Sequence, residues 1–153
     1  MERQVPIDFV DERLNKGLAR TGLRFTAQRR HIYSKLLEKG DHPSADEVFM
    51  RAKSDMPDLS MATVYNTLDT LVKCGLVRQV NHERGPTRYC SNMEKHHHFH
   101  CTTCNGVFDI RSDPESGEPE IHMPPGFEVL QFEILFRGIC PECAAKQAAE
   151  ANA

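Results

Sequence analysis

No stretch of the 153-residue chain approaches the roughly eighteen consecutive apolar side chains of a membrane-spanning helix, which excludes a helical bilayer protein. The N-terminus, MERQVPIDFVDER, lacks the basic-then-apolar layout of an export signal, and the expectation is a cytoplasmic protein. Aromatic side chains are few, at 7%; with 39% hydrophobic and 27% charged residues, the composition suits one ordinary domain or two small ones. No internal repeat is present. HExxH and the His/Cys pattern of zinc deaminases are both missing, which disfavours a zinc-dependent hydrolase, because such a site needs an open coordination position beside a general base.

Acidic residues are absent from Arg13 to Arg30, where Arg13, Lys16, Arg20, Arg24, Arg29 and Arg30 accumulate. The formal charge of −3 hides this asymmetry: residues 1–90 hold 15 Lys and Arg against 12 Asp and Glu, and residues 91–153 hold 4 against 10. A local positive field of this kind can face phosphate, or it can be a solvated helix face. A zinc-stapled adaptor that binds only protein would leave this stretch without a purpose.

The first half reads as helices. Leu14, Leu18 and Leu23 fall near helical spacing after Asp11, and Thr26 opens a helix that buries Ile32, Leu36 and Leu37 and stops at Gly40. Ser44 and Glu47 form a capping-box pattern before a helix that ends ahead of Pro57. Ser60 caps a further helix with Val64, Leu68, Leu71 and Val72 as its buried stripe, Cys74 at the end of that stripe and Gly75 in the stop position. Two short β-prone runs around a His82–Pro86 turn then predict a hairpin. Helices followed by a two-stranded ribbon make a winged helix-turn-helix, in which the helix before the hairpin enters the major groove.

The predicted fold class is α+β, with a winged helix-turn-helix DNA-binding domain over 1–90, a hinge at 91–95, and a small C-terminal α/β domain over 96–153. Within the latter, FHCTTC and GVFDIR predict two strands, and FEVLQFEILFRGIC predicts a longer one with Val129, Phe132, Ile134 and Phe136 buried. The proline-rich 112–125 segment predicts a loop, and the tail from Pro141 a short helix.

Six cysteines in a chain without an export signal point to metal or redox chemistry rather than a disulfide scaffold. Cys101 and Cys104 form one CxxC pair and Cys140 and Cys143 a second, so each pair can bite one side of a tetrahedral ion. Zn²⁺ suits four thiolates, being borderline-soft and redox-inert, and a structural zinc would staple a domain too small to hold itself by apolar burial. A second constellation, His96-His97-His98-Phe99-His100, precedes Cys101; on a strand His96, His98 and His100 share one face. Two imidazoles cannot fill a coordination sphere. Asp109 on the neighbouring strand and Cys90 across the hinge are the nearest further ligands, and His42 could complete the set. Such a two-domain site would fix the relative orientation of the domains only when occupied, and so could switch DNA binding.

The chain resembles the ferric uptake regulator family of bacterial metal-dependent repressors. The resemblance rests on Arg24-Phe25-Thr26-x-Gln28-Arg29, His42-Pro43-Ser44-Ala45-Asp46-Glu47, Ala62-Thr63-Val64-Tyr65, the His cluster and both CxxC pairs. It implies a homodimer bound to a palindromic, A/T-rich double-stranded DNA operator, with Ser60, Thr63, Tyr65 and Asn66 at the bases and Arg24 in the minor groove. It also implies a regulatory site of His42, His96, His98 and Asp109. Asp109 and Asn66 are similar to the peroxide-sensing branch, in which bound Fe²⁺ reacts with peroxide and oxidises a ligand histidine; His42 and His96 would then be targets. Cys90 departs from that branch and resembles zinc-uptake regulators, adding a thiolate with affinity for Zn²⁺ and a third oxidisable ligand. The zinc branch adds a ligand from the wing, where this chain has Arg78. The regulatory metal is therefore expected to be Fe²⁺ or Mn²⁺, with Zn²⁺ the alternative. Some members carry a third site whose positions here read Phe132, Lys95 and His97; this site is expected to be absent or altered, with His97 and His100 at the surface or minor contributors. His82 and His122 read as exposed loop histidines.

Overall fold

The computed structural model describes residues 3–81, 84–111, 113, 115 and 120–153; His82 and part of the proline-rich 112–125 segment lie outside these residues. Helices and strands combine in an α+β chain that divides into two compact units, Met1–Met93 and Glu94–Ala153.

The first unit holds α1 (Ile7–Ala19), α2 (Ala27–Lys39), α3 (Ala45–Lys53) and α4 (Met61–Lys73), then β1 (Arg78–Val80) and β2 (Arg88–Cys90). Side-chain caps start three of the helices. Thr26 accepts from the Arg29 amide, Ser44 and Glu47 close a reciprocal capping box, and Ser60 accepts from the Thr63 amide. Gly40 ends α2 at φ 60°, a left-handed conformation that costs a residue without Cβ little. The apolar stripes converge on one core: Val10, Leu14 and Leu18 of α1, Ile32, Tyr33 and Leu36 of α2, Val48 and Ala52 of α3, and Val64, Leu68 and Leu71 of α4. Cys74 is buried in that core, as its place on the stripe predicts.

The first helix differs from expectation. It begins at Ile7, behind Pro6, with no side-chain cap for the sequence to advertise, and Leu23 lies beyond its end as an exposed residue. Leu37 and Val72 are only partly buried, at the rim of the core. Gly17 permits the close packing of α1: a Cβ there would lie 2.9 Å from Leu76 Cδ1.

β1 and β2 pair antiparallel, with Arg78 opposite Cys90 and Val80 opposite Arg88. The hairpin is tied to the start of α3 by the Tyr89 amide donating to the Pro43 carbonyl (2.9 Å) and by an Arg88–Glu47 ion pair (3.0 Å).

The second unit contains β3 (His97–Cys101), β4 (Val107–Ile110), β5 (Leu135–Gly138) and α5 (Pro141–Ala151). β3 is central, antiparallel to β4 and parallel to β5. The third strand is shorter than predicted. Val129, Phe132 and Phe136 are exposed and Ile134 is only partly covered, because among the described residues nothing in this unit forms a second layer over residues 126–134. His97 and His100 correct the sequence reading in the other direction: as residues of a central strand they are buried, at 4% and 7% exposure. Among the described residues, the buried side chains here are four histidines and three cysteines, with no buried aliphatic residue. His122 is exposed, as predicted.

Candidate metal centres and nucleic-acid interface

The four cysteines Cys101, Cys104, Cys140 and Cys143 are all free thiols and offer sulfur atoms within 4.8 Å of one another. Cys101 ends β3, and Cys104 lies in the following turn. There Asn105 adopts a left-handed φ of 59°, and its amide donates to the Cys101 carbonyl at 2.9 Å. Cys140 follows β5 as the N-cap of α5, and Cys143 lies on the first turn of that helix. A tetrahedral ion with Zn–S bonds of about 2.3 Å separates its sulfurs by roughly 3.8 Å; Cys104 Sγ and Cys140 Sγ are 3.9 Å apart. The donor set therefore fits zinc. Backbone amides of Cys104 and Cys140 aimed at Cys101 sulfur pull its thiol down to about 6, whereas the Cys140 sulfur beside it and burial push Cys143 up to about 12. Four crowded sulfurs cannot all ionise without a cation among them.

The second cluster is built on the β3–β4 pair. Register sets Asp109 opposite His98, and His96 lies two residues before it on the same face. His96 Nε2 and His98 Nε2 are 3.0 Å apart, and Asp109 Oδ1 is 3.1 Å from the first and 3.5 Å from the second. Metal–ligand bonds of about 2.0–2.2 Å place neighbouring ligand atoms about 3.0–3.5 Å apart. The other ring nitrogens are engaged: His96 Nδ1 meets the Glu94 carbonyl at 2.7 Å, and His98 Nδ1 meets the Glu133 carboxylate. A carbonyl can only accept, so Nδ1 of His96 donates to it, and in the neutral ring Nε2 presents a lone pair. The same assignment for His98 leaves three acceptor atoms converging on one point, which suits a divalent cation. Glu133 was not read from the sequence; it lies 35 residues from His98 and joins it only through the parallel β3–β5 pairing.

His42 and Cys90 belong to the first unit, where both are buried and their ligand atoms lie within 4.8 Å of each other. Their backbone is held firmly. Arg88 donates to the His42 carbonyl at 3.2 Å, and Arg51 clamps the preceding Asp41 through two hydrogen bonds of 2.9 and 2.6 Å. Arg78, opposite Cys90, donates to the Met93 carbonyl at 3.0 Å, so its guanidinium braces the chain beyond β2 and cannot ligate a cation.

Of the residues expected at DNA, Arg24, Ser60, Tyr65 and Asn66 are exposed, and Thr63 is partly buried with its hydroxyl 2.8 Å from that of Ser60. The basic stretch is less free than its composition implies. Arg30 pairs with Asp11 at 2.7 Å and Lys16 with Glu12 at 3.3 Å, acids contributed by the preceding residues of α1.

The sequence model of the ferric uptake regulator family matches residues 20–137. The chain belongs to that family. Among its relatives is the peroxide-responsive repressor PerR of Staphylococcus aureus, 30% identical over 148 residues, covering 93% of this chain and 99% of the relative. The ferric uptake regulator of Pseudomonas aeruginosa, solved with manganese, superposes with a TM-score of 0.67 at 25% identity, covering 83% of this chain and 97% of that one. The Helicobacter pylori ferric uptake regulator shares the fold, with a TM-score of 0.73 at 22% identity over 94% of this chain and 97% of that one. Membership of a family of transcriptional regulators agrees with the absence of hydrolase motifs from the sequence; among the described residues no helix is long and apolar enough to cross a membrane.

Proposed function

We propose that this family member is a metal-dependent transcriptional repressor that responds to peroxide through Fe²⁺ or Mn²⁺ held by His42, Cys90, His96, His98 and Asp109. The observation that carries this reading is the convergence of His96 Nε2, His98 Nε2 and Asp109 Oδ1 within 3.5 Å of one another. A mixed nitrogen and oxygen set suits iron or manganese, and the peroxide-responsive relative matches nearly the full length. Residues 1–90 act as a winged helix-turn-helix, 91–95 as the hinge, and 96–153 as the dimerisation domain. The four cysteines hold structural Zn²⁺.

In this reading the protein works as a homodimer on a palindromic, A/T-rich DNA duplex in the cytoplasm. Exposed Phe127, Val129, Leu130 and Phe132 supply apolar surface for a second copy of the chain. Exposed Tyr65 and Asn66 on α4, with Ser60 and Thr63 at its N-terminus, contact bases, and Arg24 contacts the minor groove. Of the five ligands, His42 and Cys90 belong to residues 1–93 and His96, His98 and Asp109 to residues 94–153, and loss of a ligand would release the cation and with it the DNA-binding state. Iron held by these residues would supply the electron that activates peroxide, and the side chains of His42, His96 and Cys90 would be the oxidation targets.

A second reading, a zinc-uptake regulator, is favoured by one observation: Cys90 is a buried thiol beside His42, and thiolate prefers zinc. Anaerobic titration of the zinc-loaded protein with Fe²⁺, Mn²⁺ and Zn²⁺, then peroxide and peptide mass spectrometry, separates the two. Peroxide sensing requires a histidine that gains one oxygen atom only with Fe²⁺ bound. Tight Zn²⁺ at the second site with no histidine oxidation would establish the zinc reading instead.

A further inference from the structure

His98 on β3 and His96, just ahead of that strand, differ in what holds them. His96 Nδ1 donates to a neutral backbone carbonyl two residues away, whereas His98 Nδ1 faces the carboxylate of Glu133, two residues before β5. The segment carrying Glu133 is fixed against β3 by two further bonds: the His98 amide donates to the Ile134 carbonyl (3.1 Å), and the Ile134 amide donates to His97 Nδ1 (3.2 Å). The His98 side chain is fully buried, while that of Glu133 is 36% exposed. An ordinary ion pair with one partner so exposed would be worth little; a carboxylate on the far nitrogen of a ligating imidazole orients the ring and raises its basicity.

We propose that Glu133 is a positioning residue for the cation site, accepting the Nδ1 proton of His98 so that Nε2 is fixed as the metal-binding atom and becomes a stronger donor than that of His96. The inference rests on the reading of His96, His98 and Asp109 as a metal site. It makes His98 the anchoring ligand and His96, held by a neutral acceptor, the weaker one. It also ties the site to β5, which leads through Gly138 and Ile139 to Cys140 and so to the four-cysteine cluster.

The test uses the full-length, zinc-loaded protein as wild type, Glu133→Ala, Glu133→Gln and His96→Ala, with Mn²⁺ as the probe and the loss of its free-ion electron paramagnetic resonance signal as the affinity readout. A second readout, the ring nitrogen shifts of His98 without added Mn²⁺, reports the tautomer directly. Glu133→Ala is expected to weaken Mn²⁺ binding about 10- to 100-fold and to shift His98 away from the Nδ1–H tautomer. Glu133→Gln, which keeps an acceptor oxygen but loses the charge, is expected to weaken binding by a smaller factor, at least about threefold, and to retain the tautomer. If Glu133→Ala does not fold, Glu133→Gln carries the test alone. Mn²⁺ affinities within about twofold of wild type in every folded Glu133 variant, with His96→Ala binding poorly, would overturn the role of Glu133 while leaving the site in place. Wild-type affinity in His96→Ala would overturn the metal site itself, and the inference with it.

Discussion

The amide of Cys140 points at the sulfur of Cys101 from 3.3 Å, joining the N-cap of α5 to the last residue of β3. The contact closes the second unit at the point where its sheet meets α5. Since the buried apolar side chains of this unit, among the described residues, are Cys101, Cys140 and Cys143 with Phe99 packed on them, its cohesion depends on what the sulfurs bind.

Replacing Cys101 by Ser is therefore expected to unfold the second unit. Structural zinc contributes apparent binding energies of about 10–16 kcal/mol that appear as folding energy, more than a 60-residue unit holds in reserve. Hydrogen exchange of the full chain would show β3, β4 and β5 losing protection while α2 and α4 keep theirs; protection retained throughout would mean that the cluster is not the staple.

His96→Ala should behave differently. The fold should survive, because His96 lies outside the cysteine cluster, but Mn²⁺-stimulated binding to a duplex selected by the wild-type protein from an A/T-rich library should fall by about 100-fold or more. A His96→Ala protein that melts along with its zinc site would show that the division into structural and regulatory sites is wrong.

Asp41 supports His42, and its ionisation has a predictable consequence. Burial raises its carboxyl, but the Arg51 hydrogen bonds and charge outweigh that and hold it below the ordinary carboxylate range. A carboxyl with a depressed folded-state pKa contributes stability that is present above about pH 4 and lost as the pH falls through the folded value. Asp41→Asn should cost about 0.5–1 kcal/mol at pH 7 by urea unfolding and nothing near pH 2, given a pair only partly shielded from solvent. An equal cost at both values would assign the effect to packing.

Much of the first unit was legible because its signals are local. Thr26, Ser44 and Ser60 each cap an amide three residues ahead, and Gly40 and Gly75 stop helices at left-handed positions, so the chemistry that sets those boundaries lies within one turn. α1 has no such cap, and its start at Ile7 was missed. Asp109 could be found opposite His98 because β3 and β4 are joined by a short knuckle, but Glu133 could not, because its approach depends on a parallel strand that returns after a long connection.

The sequence by itself determined the two cysteine pairs, the three capped helices and the spacing of His96 and His98 two residues apart, since spacing and neighbouring side chains suffice for each. Only the tertiary structure decided that β3 is the middle strand, which buries His97 and His100, brings Glu133 to His98 and leaves Phe132 and Phe136 uncovered. Strand order is a choice among distant pairings with similar local patterns, and it is settled by the packing of the whole unit rather than by any short stretch of residues.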